Sequence, residues 1–297
     1  MINHCLSGLG IALITPFLSN GEVDYNSLAQ LVEQQIADGT DYLVVLGTTA
    51  EAVTLSDEEK QKVIQTIIAQ TAMRVPLVLG LGGNCTKTVV ERISNTDLAD
   101  FAAILSVCPY YNKPNQEGLF QHFAAIAQAS PIPVILYNVP GRTGVNLLPQ
   151  TVIRLKKAFP DNILGIKEAS GNIEQIKTLI RLREEDVDTR NLLVISGDDG
   201  ITAQLMAAGA DGLISVAANQ FTKDFSLIVH SEEKAFELQD KYAQMVHLLF
   251  AEGNPTGIKA VLSLQNKCEN ILRLPLVSAS DDLLKQIQSR LEMLRVS

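Results

Sequence analysis

No stretch of this sequence approaches the roughly 18 to 20 consecutive apolar residues that a membrane-spanning helix needs, so no membrane span is expected. The opening segment, Met1 to Gly10, has no basic region followed by a long apolar one, and no secretory signal is read there. The four cysteines, Cys5, Cys85, Cys108 and Cys268, form no CxxC pair, which argues against zinc and against a redox dithiol. Free thiols in a reducing cytoplasm are the expectation. The four histidines, His4, His122, His230 and His247, show no HExxH or related ligand spacing, and no metal is expected. There is no lysine- or arginine-rich block, and the net charge is −9; both argue against nucleic acid as a partner. Internal repeats, low-complexity tracts and long linkers are also missing.

What remains is a chain of 297 residues, 46% hydrophobic, long enough for one large α/β barrel or two ordinary domains. Short apolar runs alternate with helical patterns. Strands are read at Gly8–Pro16, Tyr42–Leu46, Leu77–Gly80, Phe101–Val107, Val134–Leu136, a run beginning at Ile163, Leu192–Ile195 and Gly212–Val216. Helices lie between them, one opened by Ser56 and Glu59 at capping-box spacing. Strand–helix alternation implies a parallel sheet with crossover helices, and eight units are the count of a (β/α)8 TIM barrel. Residues 1–217 are read as the barrel and 218–297 as a C-terminal helical extension.

The run from Ile163 ends in Lys167, followed by Glu168-Ala169-Ser170-Gly171 and a helix opened by Asn172. Lys167 therefore belongs at the C-terminal end of a buried strand. Burial disfavours the charged form of lysine, and a neutral amine forms Schiff bases with carbonyl compounds. The bland alternative is a lysine that snorkels to solvent or pairs with Glu168. A barrel gathers the C-terminal ends of its strands at one face, where active sites lie. Thr48 and Thr49 follow strand two, Tyr110 and Tyr111 strand four, Tyr137 and Arg142 strand five, and Gly197 strand seven. Tyr137 is a candidate proton shuttle, the threonines could extend a relay, and Arg142 offers a planar fork for a carboxylate. Gly197 would let backbone approach a ligand closely.

Other patterns are discounted. Gly80-Leu81-Gly82-Gly83 is an incomplete dinucleotide fingerprint. Asp198-Asp199 is better explained by a following helix N-terminus than by a metal. Lys113 is expected to be solvated, and Lys156 and Lys157 to face outward from a helix.

Taken together, Gly47-Thr48-Thr49-Ala50-Glu51, Pro109-Tyr110-Tyr111-Asn112, Tyr137 to Gly144, Gly165-Ile166-Lys167-Glu168-Ala169 and Ser196-Gly197-Asp198-Asp199 resemble the 4-hydroxy-tetrahydrodipicolinate synthase (dihydrodipicolinate synthase) family, within the class I pyruvate aldolases. The resemblance runs from about Gly8 into the C-terminal helices. It implies a carbon–carbon bond-forming lyase that condenses pyruvate with L-aspartate 4-semialdehyde in the diaminopimelate route of lysine biosynthesis. By that resemblance Lys167 holds pyruvate as an imine, and Tyr137, Thr49 and Tyr111 move protons, Tyr111 from a neighbouring subunit. Thr48 and Thr49 position pyruvate, Arg142 takes the semialdehyde carboxylate, and Gly197 and Ile214 line the site through their backbones. No cofactor is implied; a cytoplasmic homotetramer, a dimer of dimers, is.

Two departures stand out. Ala50 replaces the family's second glycine, with a small backbone effect expected. At the family's lysine-feedback site the matching positions are Ala52, Asp57, Lys60 and Thr88, with only Asn84 and Tyr110 as in inhibited members, so feedback inhibition is expected to be weak or absent. Another pyruvate-dependent lyase resembling N-acetylneuraminate lyase, and a non-catalytic regulatory barrel, remain as alternatives.

Overall fold

The computed structural model describes residues 6–296; His4 and Cys5 lie outside the described residues. In chain order the elements are β1 Gly8–Ala12, α1 Tyr25–Ala37, β2 Tyr42–Val45, α2 Asp57–Thr71, β3 Leu77–Gly80 and α3 Thr86–Asn95. Then come β4 Ala103–Val107, α4 Gln116–Ala129, β5 Val134–Asn138, α5 Pro140–Thr143, α6 Pro149–Ala158, β6 Ile163–Glu168 and α7 Ile173–Glu184. The chain ends with β7 Leu193–Ser196, α8 Thr202–Ala207, β8 Gly212–Ser215, α9 Ala218–His230, α10 Glu232–Ala251, α11 Thr256–Leu264 and α12 Asp281–Val296. The eight strands follow one another around a closed barrel. This is the (β/α)8 architecture read from the alternation, followed by C-terminal helices. Among the described residues no helix is long and apolar enough to cross a membrane.

By their contacts the residues form two compact units, one holding Pro76–Ile214 and the residues up to Gly8, the other Leu9–Val75 with Ser215 onward. In the first, β3 to β8 pair in parallel, each with the next. Nearly every strand residue is buried, as expected for strands covered on both faces. In the second unit β1 pairs in parallel with β2.

Several boundaries differ from the sequence reading for physical reasons. The first strand stops at Ala12, not Pro16, because the Ile14 amide bonds to the Asn219 side chain instead of continuing the ladder. The fifth strand runs on to Asn138, so Tyr137 lies inside it. The sixth includes Glu168, one residue past Lys167. Helix α2 has the expected capping box: Ser56 Oγ accepts from the Glu59 amide at 3.2 Å, and Glu59 Oε2 accepts from the Ser56 amide at 2.9 Å. Asn172 caps α7 through the Gln175 amide. Helix α8 starts at Thr202, later than expected, and Asp198 instead closes the preceding turn by accepting from the Gly200 amide.

Lys156 does not face outward. It is buried, and its Nζ donates to the carbonyls of Pro160 at 2.6 Å and Ile163 at 2.9 Å. The segment between α6 and β6 folds those carbonyls toward the helix, and the ammonium satisfies them. Lys157 does face solvent, paired with Asp186 at 2.6 Å. Lys113 is exposed, as read.

His122 on α4 is buried, with Nδ1 2.8 Å from Thr86 Oγ1 and its ring edge-on to Phe123. Among the described residues its Nε2 has no hydrogen-bond partner. Burial pushes its pKa down to about 4. The folded chain therefore binds a proton here less readily than the unfolded chain. The stabilisation is fully present above the unfolded value, near 6.5, and is lost as pH falls toward 4. We expect unfolding free energy to drop by about 3 kcal/mol from this group alone between pH 7 and pH 4. Denaturant titrations at both pH values should find the loss smaller in His122→Leu.

Candidate active site

Lys167 and Tyr137 are register partners on the adjacent parallel strands β6 and β5. Partners in a ladder point their side chains to the same face. Lys167 Nζ accordingly lies 4.6 Å from the centroid of the Tyr137 ring. Lys167 is only 6% exposed and Tyr137 7%. The amine thus sits on an apolar stem against a phenol, and among the described residues no carboxylate forms an ion pair with it. Glu168 is not its partner, because the next residue along a strand points to the opposite face.

Gly197, after β7, sets the room around the lysine. A Cβ at this position would lie 2.7 Å from Ala169 Cβ, 3.0 Å from Lys167 Cε and 3.1 Å from Lys167 Cγ. Its amide donates to the Glu168 carbonyl at 2.8 Å, which fixes this close approach. Ile214 lies buried in β8, which pairs with β7. Arg142 is exposed on α5, a single turn with Pro140 at its start, where the sequence reading had only a loop. Lys167, Tyr137 and Gly197 are thus brought together.

The loop after β4 carries Tyr111, which is 90% exposed with φ +75°. A bulky side chain in the left-handed region is an outlier that the surrounding structure must hold. Here Asn112 does so: its amide donates to the Tyr110 carbonyl at 2.9 Å, and its side chain to the Asn84 carbonyl at 2.9 Å. Asn84 in turn donates to the Tyr110 carbonyl at 3.2 Å.

Thr48 and Thr49 belong to the other unit, in a 3-10 turn after β2. Thr48 is exposed, whereas Thr49 is buried and its Oγ1 accepts from Asn254 Nδ2 at 2.9 Å. Ala50 lies inside the turn, and the positive φ values fall on Leu46 and Glu51 on either side. Alanine therefore meets no positive-φ strain there, where a small backbone effect is expected. Glu51 and Lys259 form an ion pair at 2.6 Å with both side chains wholly buried. Lys259 also donates to the Ile271 carbonyl, and Glu51 accepts from the Arg273 amide. The Arg273 guanidinium reaches the carboxylate of Glu59 and the carbonyls of Gly21 and Thr54. Burial pulls the pKa of Lys259 below the usual lysine range, opposed by Glu51. None of Asn254, Lys259 and Arg273 stood out in sequence, since each lies some 200 residues from its partner. Among the described residues, no group of three or more His, Cys, Asp or Glu could hold a metal ion. Cys85 is exposed, Cys108 buried and Cys268 partly so, all as free thiols.

Residues 5–294 match the Dihydrodipicolinate synthetase family. A 4-hydroxy-tetrahydrodipicolinate synthase of Flavobacterium psychrophilum is 49% identical over 281 residues, covering 93% of this chain and 94% of the relative. One from Parabacteroides distasonis is 48% identical over 277 residues, covering 92% and 91%. Among solved structures, the chloride-inhibited dihydrodipicolinate synthase of Acinetobacter baumannii complexed with pyruvate superposes with a TM-score of 0.92. It is 40% identical, covering 98% of this chain and all of that one.

Gly197→Ala should push the Lys167 side chain off its position while leaving the barrel folded. Reductive alkylation of Lys167 by a small keto acid, followed by mass spectrometry, should slow by up to about 100-fold, the scale of a misplacement near 1 Å. An unchanged rate would contradict the steric role.

Proposed function

Because the chain belongs to the Dihydrodipicolinate synthetase family, we propose that it joins pyruvate to L-aspartate 4-semialdehyde through a Schiff base on Lys167. The product is 4-hydroxy-tetrahydrodipicolinate, on the diaminopimelate route to lysine. The observation that carries this reading is the buried Lys167 amine over the Tyr137 ring, with Gly197 leaving space beside it. Full-length similarity to proteins named as synthases does not favour the N-acetylneuraminate lyase-like alternative.

The Lys167 amine adds to the ketone carbon of pyruvate. The carbinolamine loses water to give an imine, with Tyr137 passing protons to and from oxygen. The protonated imine acidifies the pyruvate methyl, which loses a proton to form an enamine. The enamine carbon then attacks the aldehyde, forming the carbon–carbon bond and a hydroxyl. The amine of the semialdehyde adds to the imine carbon and expels Lys167, which closes the ring. The lysine nitrogen is the electron sink throughout.

In this reading Thr48 and Thr49 position pyruvate, and Thr49 joins the proton relay under the hold of Asn254. Arg142 takes the carboxylate of the semialdehyde, and Gly197 and Ile214 present backbone to the substrate. Tyr111 completes the relay from a second copy of the chain, within a cytoplasmic homotetramer built as a dimer of dimers. Its exposure and held, unusual backbone support a role for Tyr111 outside its own core. Residues 1–217 carry the chemistry, and 218–297 form the helical extension.

Borohydride reduction in the presence of pyruvate should leave one pyruvate-derived adduct, on Lys167, and none in Lys167→Ala. Tyr137→Phe should trap more slowly and lose about 10²- to 10⁴-fold in turnover, the usual worth of a proton-transfer group. Wild-type protein without an adduct would end this reading.

Feedback by L-lysine should be weak or absent. By the resemblance, Lys60 matches a position of the effector site in lysine-inhibited members, and its cation, paired here with Asp57 at 3.1 Å, would repel a bound lysine. Initial rates should be unmoved by sub-millimolar L-lysine, and inhibition in that range would contradict the expectation.

A further inference from the structure

One step past the reactive pair, Asn138 and Glu168 are the next register partners of β5 and β6. They point away from Lys167 and Tyr137, toward the helical layer. Glu168 is buried there. Its Oε1 accepts from the Ser170 amide at 2.8 Å, and its Oε2 from Asn138 Nδ2 at 2.9 Å and Gln175 Nε2 at 3.2 Å. The remaining groups are occupied. Asn138 Oδ1 accepts from the Leu147 amide at 2.9 Å, and Asn146 Oδ1 accepts from Asn138 Nδ2 at 2.8 Å while Asn146 and Gln175 exchange hydrogen bonds.

Three N–H donors converge on this carboxyl, from the Ser170 amide and the side chains of Asn138 and Gln175. The arrangement fits the anion. Burial holds the pKa of Glu168 above the usual carboxylate range, and these hydrogen bonds offset that rise only in part. Among the described residues no ion pair involves Glu168. A buried anion without a cation is costly, and fixed charge in a site of low dielectric acts strongly on charge that develops nearby.

Resting on the Schiff-base reading, we propose that Glu168 is a positioning residue for that chemistry: a hydrogen-bonded anion behind the barrel wall that favours the protonated imine on Lys167 and, through Asn138, pins the two strand ends carrying Lys167 and Tyr137. When the carbinolamine expels water, the C=N nitrogen keeps its proton and becomes cationic. When the methyl proton leaves, the electron pair returns to nitrogen and the charge is lost. The anion thus lowers the cost of the one cationic species between pyruvate and the enamine.

The test is exchange of the pyruvate methyl protons in D2O, followed by proton NMR on the full chain without semialdehyde. Glu168→Gln should slow exchange by roughly tenfold, the scale of one charge acting across a barrel wall, with half-saturation by pyruvate changed by less than about threefold. The double variant Asn138→Asp with Glu168→Gln returns a carboxylate to the paired position. It should exchange within about threefold of wild type. A purely structural role predicts parallel losses of melting temperature and no rescue by the transplanted charge. Wild-type exchange in Glu168→Gln, or a folded double variant as slow as the single one, would overturn the proposal. If Glu168→Gln does not fold, the double variant decides alone by the same criterion. No exchange in the wild-type chain would overturn both this proposal and the Schiff-base reading.

Discussion

The parity of two neighbouring strands governs this molecule. Because β5 and β6 are in register from Ile135 and Gly165 onward, residues 137 and 167 share one face and residues 138 and 168 the other. A slip of β6 by one residue would turn Lys167 to the helices and bring Glu168 into its place, parting the amine from the phenol. A bulge lies just before the aligned stretch, between Val134 and Ile135. The register is therefore set locally, over the residues that carry the chemistry, and not inherited along the full strand. The hydrogen bonds of Asn138 and Glu168 hold it from behind.

The second unit solves a different problem with charge. The turn bearing Thr48 and Thr49 is followed by Glu51 in left-handed geometry, and the Glu51 carboxylate is closed off from water. A buried ion pair usually costs more in desolvation than it returns. Here Lys259, the Arg273 amide and the Ile271 carbonyl complete the hydrogen bonding, and Phe17 lies against both cations. What the arrangement provides is a single defined position for the turn. Removing either partner would strand a charge in the core, so the pair acts as a specificity device more than a source of stability.

Much of this was legible in the sequence. The alternation of short apolar runs with helical patterns located all eight strands, because strands covered on both faces read as unbroken apolar segments. Ser56 with Glu59 announced the start of α2, and Asn172 that of α7. Lys167 stood out because an apolar run ended in a cation, and the structure sets it beside Tyr137 and Gly197. What stayed hidden depends on long-range pairing. Asn254, Lys259 and Arg273 look like ordinary helix and loop residues until the chain returns on itself. Adjacent in sequence, Glu168 reads as a partner for Lys167, and strand alternation forbids that. Lys156 was misread for a related reason: periodicity tells which side of a helix is polar, but not that two backbone carbonyls wait beneath it.

The composition of the second unit has a consequence for synthesis. Its parts are Leu9–Val75 and everything from Ser215 onward, so its first segment leaves the ribosome long before its last. The carbonyls of Gly21 and Thr54 and the carboxylates of Glu51 and Glu59 all find partners at Arg273 or Lys259. Until those residues emerge, the nascent N-terminal segment carries acidic groups and open carbonyls that only water can satisfy. In the central segment, Pro76–Ile214, the strands β3 to β8 pair each with the next. Translation thus delivers β3 to β8 as one run, while Leu9–Val75 waits for Lys259 and Arg273 to emerge.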